Sequence, residues 1–211
     1  MRAVPDGFEM KKNYVIGITG SIGTGKSTVS KYLQNKGYRV LDADVIAKGE
    51  LEDPEVAAEI AAVFGPEILT DGQVDRKKLG GLIFRDSEKR KKLNALIHPR
   101  VIKTIEEELE STEGLVFVDI PLLYEAGLEY LCDKILVVYA SRRTQIARLT
   151  ERDGIGEEYA LLKIEAQMDI EEKKKLADFL VDNEGSPAET FAQIENILRR
   201  VNDEIRRLFP K

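Results

Sequence analysis

The nine residues Gly20–Thr28 constrain this chain more than any other segment. They read GSIGTGKST and match G-x-x-x-x-G-K-[ST], with Gly20, Gly25, Lys26 and Ser27 in the fixed places. The match follows a short β-branched apolar run, Val15–Thr19, and opens a helical pattern over Gly25–Asn35 that Gly37 stops. Glycine at 20, 23 and 25 lets backbone N–H groups turn inward around an anion without Cβ clashes. The helix that starts there points the positive end of its dipole at the same anion. On this reading Gly23, Thr24, Gly25, Lys26, Ser27 and Thr28 line nucleotide phosphates, with Lys26 reaching the outer ones and the Ser27 hydroxyl suited to Mg²⁺. The plain alternative is a glycine-rich turn that only links strand to helix.

A second strand, Tyr38–Asp42, returns directly after the helix, as a right-handed crossover onto a parallel sheet requires. Leu115–Asp119, Lys134–Ala140 and Asp178–Asp182 supply three more apolar strands. Between the second and third lies a charged, helical stretch with helices expected over 55–64, 77–84, 87–96 and 99–110, turns at Gly65-Pro66 and Asp71-Gly72, and no strand candidate. After the fourth strand come a basic helix at Arg142–Arg152, a Gly154-Ile155-Gly156 break, helices over 157–170 and 171–176, and after the last strand a closing helix at 187–208. The fold class expected is α/β with a five-stranded parallel sheet. The organisation expected is a core of 12–44, 114–140 and 177–211, a helical insertion over about 45–113, and a lid over about 141–176.

Composition narrows the chemistry. In 211 residues there is one cysteine, Cys132, and one histidine, His98, which excludes an internal disulfide and cysteine or multi-histidine metal clusters. A net charge of −6 disfavours nucleic acid as a partner, and no apolar run is long enough for a membrane helix. Met1–Lys12 has no apolar core of the kind a signal peptide needs, so a cytoplasmic protein is expected.

Three kinds of phosphate-loop protein compete. A GTPase needs an Asn-Lys-x-Asp segment that reads guanine, and none is present. A mechanical ATPase carries a strand ending in Asp-Glu, whereas the third strand here ends Asp119-Ile120-Pro121. Lack of a water-activating Glu suits an enzyme that hands phosphate to an alcohol. Asp42 and Asp44 follow the second strand; one carboxylate there can take the proton of an attacking hydroxyl, and the role falls to Asp44, with Asp42 as a helix cap. Arg142, Arg143, Arg148 and Arg152 crowd one helix, and Arg148 and Arg152, four apart, share a face that can clamp phosphates. A solvated basic face paired with Glu151 or Glu157 is the alternative.

Taken together, IGITGSIGTGKSTV, LDADVIAK, LNALIHPRV, VDIPLLYEAG, Ala166-Gln167-Met168 and the segment from Ala177-Asp178 to Asn183-Glu184-Gly185 resemble the dephospho-coenzyme A kinase family over residues 14 to about 200. The resemblance implies transfer of the ATP γ-phosphate to the ribose 3′-hydroxyl of dephospho-coenzyme A, with Mg²⁺. A monomer or weak oligomer is expected. It implies a sheet ordered 2-3-1-4-5. Lys26, Asp44 and Arg148 then carry catalysis, Arg152, Asn183 and Gly185 join the ATP site, and His98, Arg100, Leu122 and Leu123 lie along the substrate channel. For Asp119 two readings stand, a metal ligand through water or a structural hydrogen bond; for Leu122 and Leu123, substrate contact or core. Ser21, Lys48 and Tyr124 depart from the glycine, arginine and phenylalanine common at those places.

Overall fold

The computed structural model describes residues 13–84 and 86–208. The leading Met1–Lys12, expected to lack a signal peptide, lies outside them. Of the described residues, those up to Leu41 and from Thr112 onward form one compact unit, and Asp42–Ser111 form the other.

The first unit is built on β1 (Asn13–Thr19), β2 (Arg39–Asp42), β5 (Gly114–Asp119), β6 (Lys134–Tyr139) and β7 (Phe179–Asp182), ordered β2-β5-β1-β6-β7 in a parallel sheet. Counting those five strands along the chain, the order is 2-3-1-4-5, as the resemblance implied. β1 is central, pairing in parallel with β5 (Ile18 opposite Asp119) and with β6 (Thr19 opposite Val137), and every one of its residues is buried. That position explains its continuous apolar run: a strand covered on both faces has no solvent side to make polar.

Helices α1 (Lys26–Asn35) and α9 (Pro187–Leu208) cover the sheet through Val29 and Leu33 of one and Ile194, Ile197, Leu198 and Val201 of the other. These are i, i+3, i+4 stripes, one face of each helix. Ser186 and Glu189 cap α9 reciprocally: Glu189 Oε2 accepts from Ser186 N at 2.7 Å, and Pro187 fills the first turn. α6 (Arg142–Asp153), α7 (Glu157–Glu165) and α8 (Ile170–Leu176) lie between β6 and β7 in the chain. Leu149, Ala160 and Ile164 of α6 and α7 form a smaller core, against which Ile22 of the glycine loop also packs.

The second unit holds α2 (Ala43–Glu50), α3 (Pro54–Phe64), β3 (Leu69–Thr70), β4 (Gln73–Val74), α4 (Arg76–Phe84) and α5 (Ser87–Ser111). Two sequence expectations are corrected here. The stretch does contain strands: β3 and β4 pair antiparallel around Asp71 and Gly72, both at positive φ (51° and 79°). That is the mirror-image turn that Asp-Gly favours in hairpins, with arms of two residues each, too short to show an alternating pattern. The helices expected over 87–96 and 99–110 are one helix, running through Pro99. Leu93, Ile97, Val101, Ile105 and Leu109 recur every four residues across the proline and are all buried. Burying five such side chains outweighs the roughly 3 kcal/mol that an interior proline costs, at about 1.5–3 kcal/mol each. Among the described residues no helix is long and apolar enough to cross a membrane.

Candidate active site

β1 delivers the chain to Gly20 from the middle of the sheet. A Cβ at Gly20 would meet Thr24 Oγ1 and the Val138 carbonyl at 2.7 Å, so only glycine fits. Thr24 then folds the chain back, its N–H and hydroxyl both donating to the Ser21 carbonyl at 3.2 and 2.9 Å. Gly23 and Gly25 hold φ of 82° and 87°, the left-handed region, and a Cβ on Gly25 would run into the Asn183 side-chain amide. Gly25 offers no side chain to cap α1, which leaves the first amides of that helix to an anion.

A loop that turns its N–H groups inward turns carbonyls outward, and those need donors of their own. Side chains from α6 and from the end of β7 supply them. Gln145 donates to Ile22 O at 2.6 Å, Arg148 Nη1 to Gly23 O and Thr24 O at 3.3 and 3.2 Å, and Asn183 Nδ2 to Thr24 O at 2.8 Å. Arg148 Nη2 also donates to Asn183 O at 2.6 Å, and Thr190 Oγ1 donates to Asn183 Oδ1 at 2.8 Å, which fixes which way that amide faces.

Lys26 begins α1 with its Nζ on the Asp119 carboxylate. Asp119 ends β5 almost fully buried, and its second oxygen accepts from Ser30 Oγ at 2.5 Å. A carboxylate at that depth requires a paired charge and satisfied lone pairs, and Lys26 and Ser30 provide both. Ser27 and Thr28 are exposed on the first turn of α1. The structure therefore brings Gly23 to Thr28, Asp119, Arg148 and Asn183 into one cluster in the first unit.

The remaining expected site residues have surroundings of their own. Arg152 is exposed and chelates its neighbour Asp153 at 2.7 and 3.2 Å; Arg152, then Lys163, hold that carboxyl well below the usual carboxylate range. The partner of this basic residue is thus Asp153, not Glu151 or Glu157. Gly185 is where a Cβ would fall on the Glu189 carboxylate that caps α9. Leu122 is 39% exposed, whereas Leu123 is fully buried and reaches the space beside Gly17, where a Cβ would meet its Cδ1 at 2.7 Å. In the second unit Asp42 caps α2, accepting from the amides of Asp44 and Val45 at 2.9 and 3.1 Å, as expected of it. Asp44 is exposed in the first turn of that helix, His98 is exposed on α5, and Arg100 pairs with Glu59 at 2.8 Å.

Sequence reasoning gave no role to Ser30, Glu125 or Lys173. Ser30 had a usable signal, since it lies one helical turn beyond Lys26 on the same face.

The donor set suits Mg²⁺. No group of three or more His, Cys, Asp or Glu side chains that could cage a metal occurs among the described residues. A hydroxyl (Ser27) and a carboxylate (Asp119) are what Mg²⁺ takes from a protein when phosphates and waters fill the remaining positions.

The family model for dephospho-CoA kinase matches residues 14–189. The chain belongs to that family. Its members are kinases, so this is a phosphotransferase. Among curated relatives, the dephospho-CoA kinase of Listeria monocytogenes serotype 4b (strain F2365) is 48% identical over 191 residues, covering 88% of this chain and 96% of the relative. That of Fusobacterium nucleatum subsp. nucleatum is 43% identical over 189 residues, covering 89% and 98%. A crystal structure of TT1252 from Thermus thermophilus superposes with a TM-score of 0.76 at 39% identity, covering 90% and 98% of the two chains. A dephospho-CoA kinase from Campylobacter jejuni superposes at 0.65 and 30% identity, with the same coverage.

Proposed function

We propose that this chain transfers the γ-phosphoryl group of ATP to the ribose 3′-hydroxyl of dephospho-coenzyme A, giving coenzyme A and ADP, the last step of coenzyme A synthesis. The observation that carries this reading is the family match, which runs through the glycine loop and through both compact units.

The chemistry divides among the residues as follows. The amides of Gly23, Gly25, Lys26 and Ser27 at the start of α1 bind the nucleotide phosphates, and Thr24 and Thr28, whose own N–H groups donate to the Ser21 and Gly25 carbonyls, shape and line that turn. Lys26 exchanges Asp119 for the outer phosphates and offsets charge on the group in flight, to which Arg148 adds its own charge from α6. Asn183 and Gly185 border the nucleoside, and Arg152 belongs to a closing segment over about 141–176. Asp44 orients the acceptor hydroxyl and takes its proton as the new P–O bond forms and the bond to the ADP oxygen breaks. His98, Arg100 and Leu122 contact the acceptor, with Leu123 backing Leu122 from the core, and the stretch from about 45 to 113 is the acceptor-binding insertion. Ser27 and Asp119 would hold Mg²⁺, which would supply positive charge against the phosphates of the nucleotide. The reading sets the enzyme in the cytoplasm and needs no nucleic-acid or membrane partner.

The test is ADP release from ATP and Mg²⁺ with and without dephospho-coenzyme A, with the mass of the product determined. Strong acceptor dependence and a gain of one phosphate are expected. In Asp44→Asn, kcat should fall about 100-fold or more while ATP binds as before. Release that ignores the acceptor would remove the substrate assignment, and near-normal turnover of the variant would remove Asp44 from the mechanism.

A further inference from the structure

Lys173 is the buried charge that the reaction leaves unexplained. Its side chain is completely inaccessible, although its neighbours Lys174 and Lys175 are 41% and 69% exposed. Lys173 Nζ lies 2.9 Å from Glu125 Oε1 and donates to the Pro121 carbonyl at 3.2 Å. The same carbonyl accepts from Thr19, the last residue of β1. Burial pushes the ammonium down from the ordinary lysine range; Glu125 opposes that and the charge of Lys26 adds to it. A lysine taken out of water in this way is tolerated only with a partner charge and filled hydrogen bonds.

The partner leads back to the glycine loop. Glu125 Oε1 also accepts from the Met168 amide at 2.9 Å, pinning the turn at Gln167 and Met168. From that turn, Gln167 Oε1 accepts from Ile22 N at 2.8 Å, and the Met168 carbonyl accepts from Ser21 Oγ at 3.1 Å. With Gln145 on its carbonyl, Ile22 has both of its backbone polar groups held by glutamine amides, and its side chain packs against the α6–α7 cluster. One continuous run of contacts therefore joins Lys173 to the two loop residues that follow Gly20.

We infer that Lys173 is a positioning residue for the phosphate loop, acting through Glu125 and the Gln167–Met168 turn to hold Ser21 and Ile22 in the shape that binds nucleotide. The inference rests on the proposed reaction only for its consequence in turnover; the loop geometry itself requires nothing of the acceptor. A fixed loop spends no binding energy on ordering itself, so loosening the run weakens nucleotide affinity.

The experiment measures ATP affinity by titration calorimetry without acceptor, alongside melting temperature and acceptor-dependent turnover. Lys173→Met should weaken ATP binding about tenfold, the scale of one lost charged hydrogen bond. Gln167→Met, which keeps the shape but removes the acceptor for Ile22 N, should weaken it similarly with little change in melting temperature. Combined, the two substitutions should cost no more than either alone, because they cut the same run. If Lys173→Met does not fold, Lys173→Met with Glu125→Leu replaces the pair by apolar groups and restores packing. That double variant should still bind ATP about tenfold more weakly, since Met168 N has lost its acceptor. Wild-type affinity in a folded Lys173 variant, or additive losses with Gln167→Met, would overturn the inference. Wild-type protein that binds ATP yet ignores dephospho-coenzyme A would defeat the proposed substrate and leave the positioning role standing.

Discussion

Tyr124 stands where the resembled family commonly has phenylalanine, and the structure shows what the extra oxygen meets. Among the described residues the hydroxyl has no hydrogen-bond partner, and burial pushes its pKa up to about 12. A buried, unmatched hydroxyl costs its desolvation with no return. Tyr124→Phe should therefore raise unfolding stability by about 1–2 kcal/mol, read as a higher urea midpoint at unchanged slope. A lower midpoint would mean that the hydroxyl is satisfied after all. Ser21 is the opposite case. Where glycine is common, its hydroxyl gains the Met168 carbonyl and so adds a link to the loop. Both departures were visible in the sequence, but only the surroundings told them apart.

At the scale of elements, patterns with a long period were legible and those that depend on one local exception were not. The strands of the sheet and the helices α1, α3, α6 and α9 fall within a residue or two of expectation, because a buried strand reads as a short apolar run and a helix buried on one face repeats its apolar residues at a fixed spacing. Pro99 misled because its local preference is strong while the opposing signal, five apolar residues four apart, is spread over 17 positions. Pro99→Ala restores the missing amide donor to α5 and removes the ring clash, so stability should rise, by up to about 3 kcal/mol. Turnover should fall, because Pro99 lies between His98 and Arg100, to which the proposed function gives acceptor contacts. Denaturant titration and KM for the acceptor, measured on one preparation, check the two signs separately. A less stable variant would show that the helix depends on the proline.

Across the whole molecule, acid should act through carboxylates that the fold holds ionised. Glu184 accepts from the Thr144 hydroxyl at 2.7 Å and from the Ser141 amide, tying the end of β7 to the start of α6, and these bonds hold its pKa below the ordinary 4.5. Glu189, on the Ser186 amide, and Asp75, on the amides of Lys78 and Lys77, shift the same way. A carboxylate with a depressed folded pKa contributes stability that is present above its unfolded value and lost as pH falls through the folded one. Stability should therefore decline below about pH 4.5, and Glu184→Gln should flatten part of that decline while being less stable at pH 7. Thermal melts of both proteins from pH 7 to pH 3 test this. Parallel curves would remove Glu184 from the acid response.

The sequence by itself determined the sheet, its parallel sense and the phosphate cradle. Each of these rests on chemistry confined to a short stretch: glycines where φ must be positive, an apolar run where both faces are covered, a lysine and a serine at a helix start. Arg148 and Asn183 were already expected at the nucleotide, but only the tertiary structure decided how outlying side chains hold that cradle and added Gln145 and Gln167 to them. Arg148, Gln145, Gln167 and Asn183 lie more than a hundred residues along the chain from the loop carbonyls and amides they hold. Lys173 is one of three consecutive lysines, and its spacing of three from Ile170 marks a shared helix face without saying what covers that face. Its burial is settled by the face of α8 it shares with Ile170 and by the carboxylate that waits there, and a carboxylate 48 positions away leaves no periodic trace for sequence reading to find.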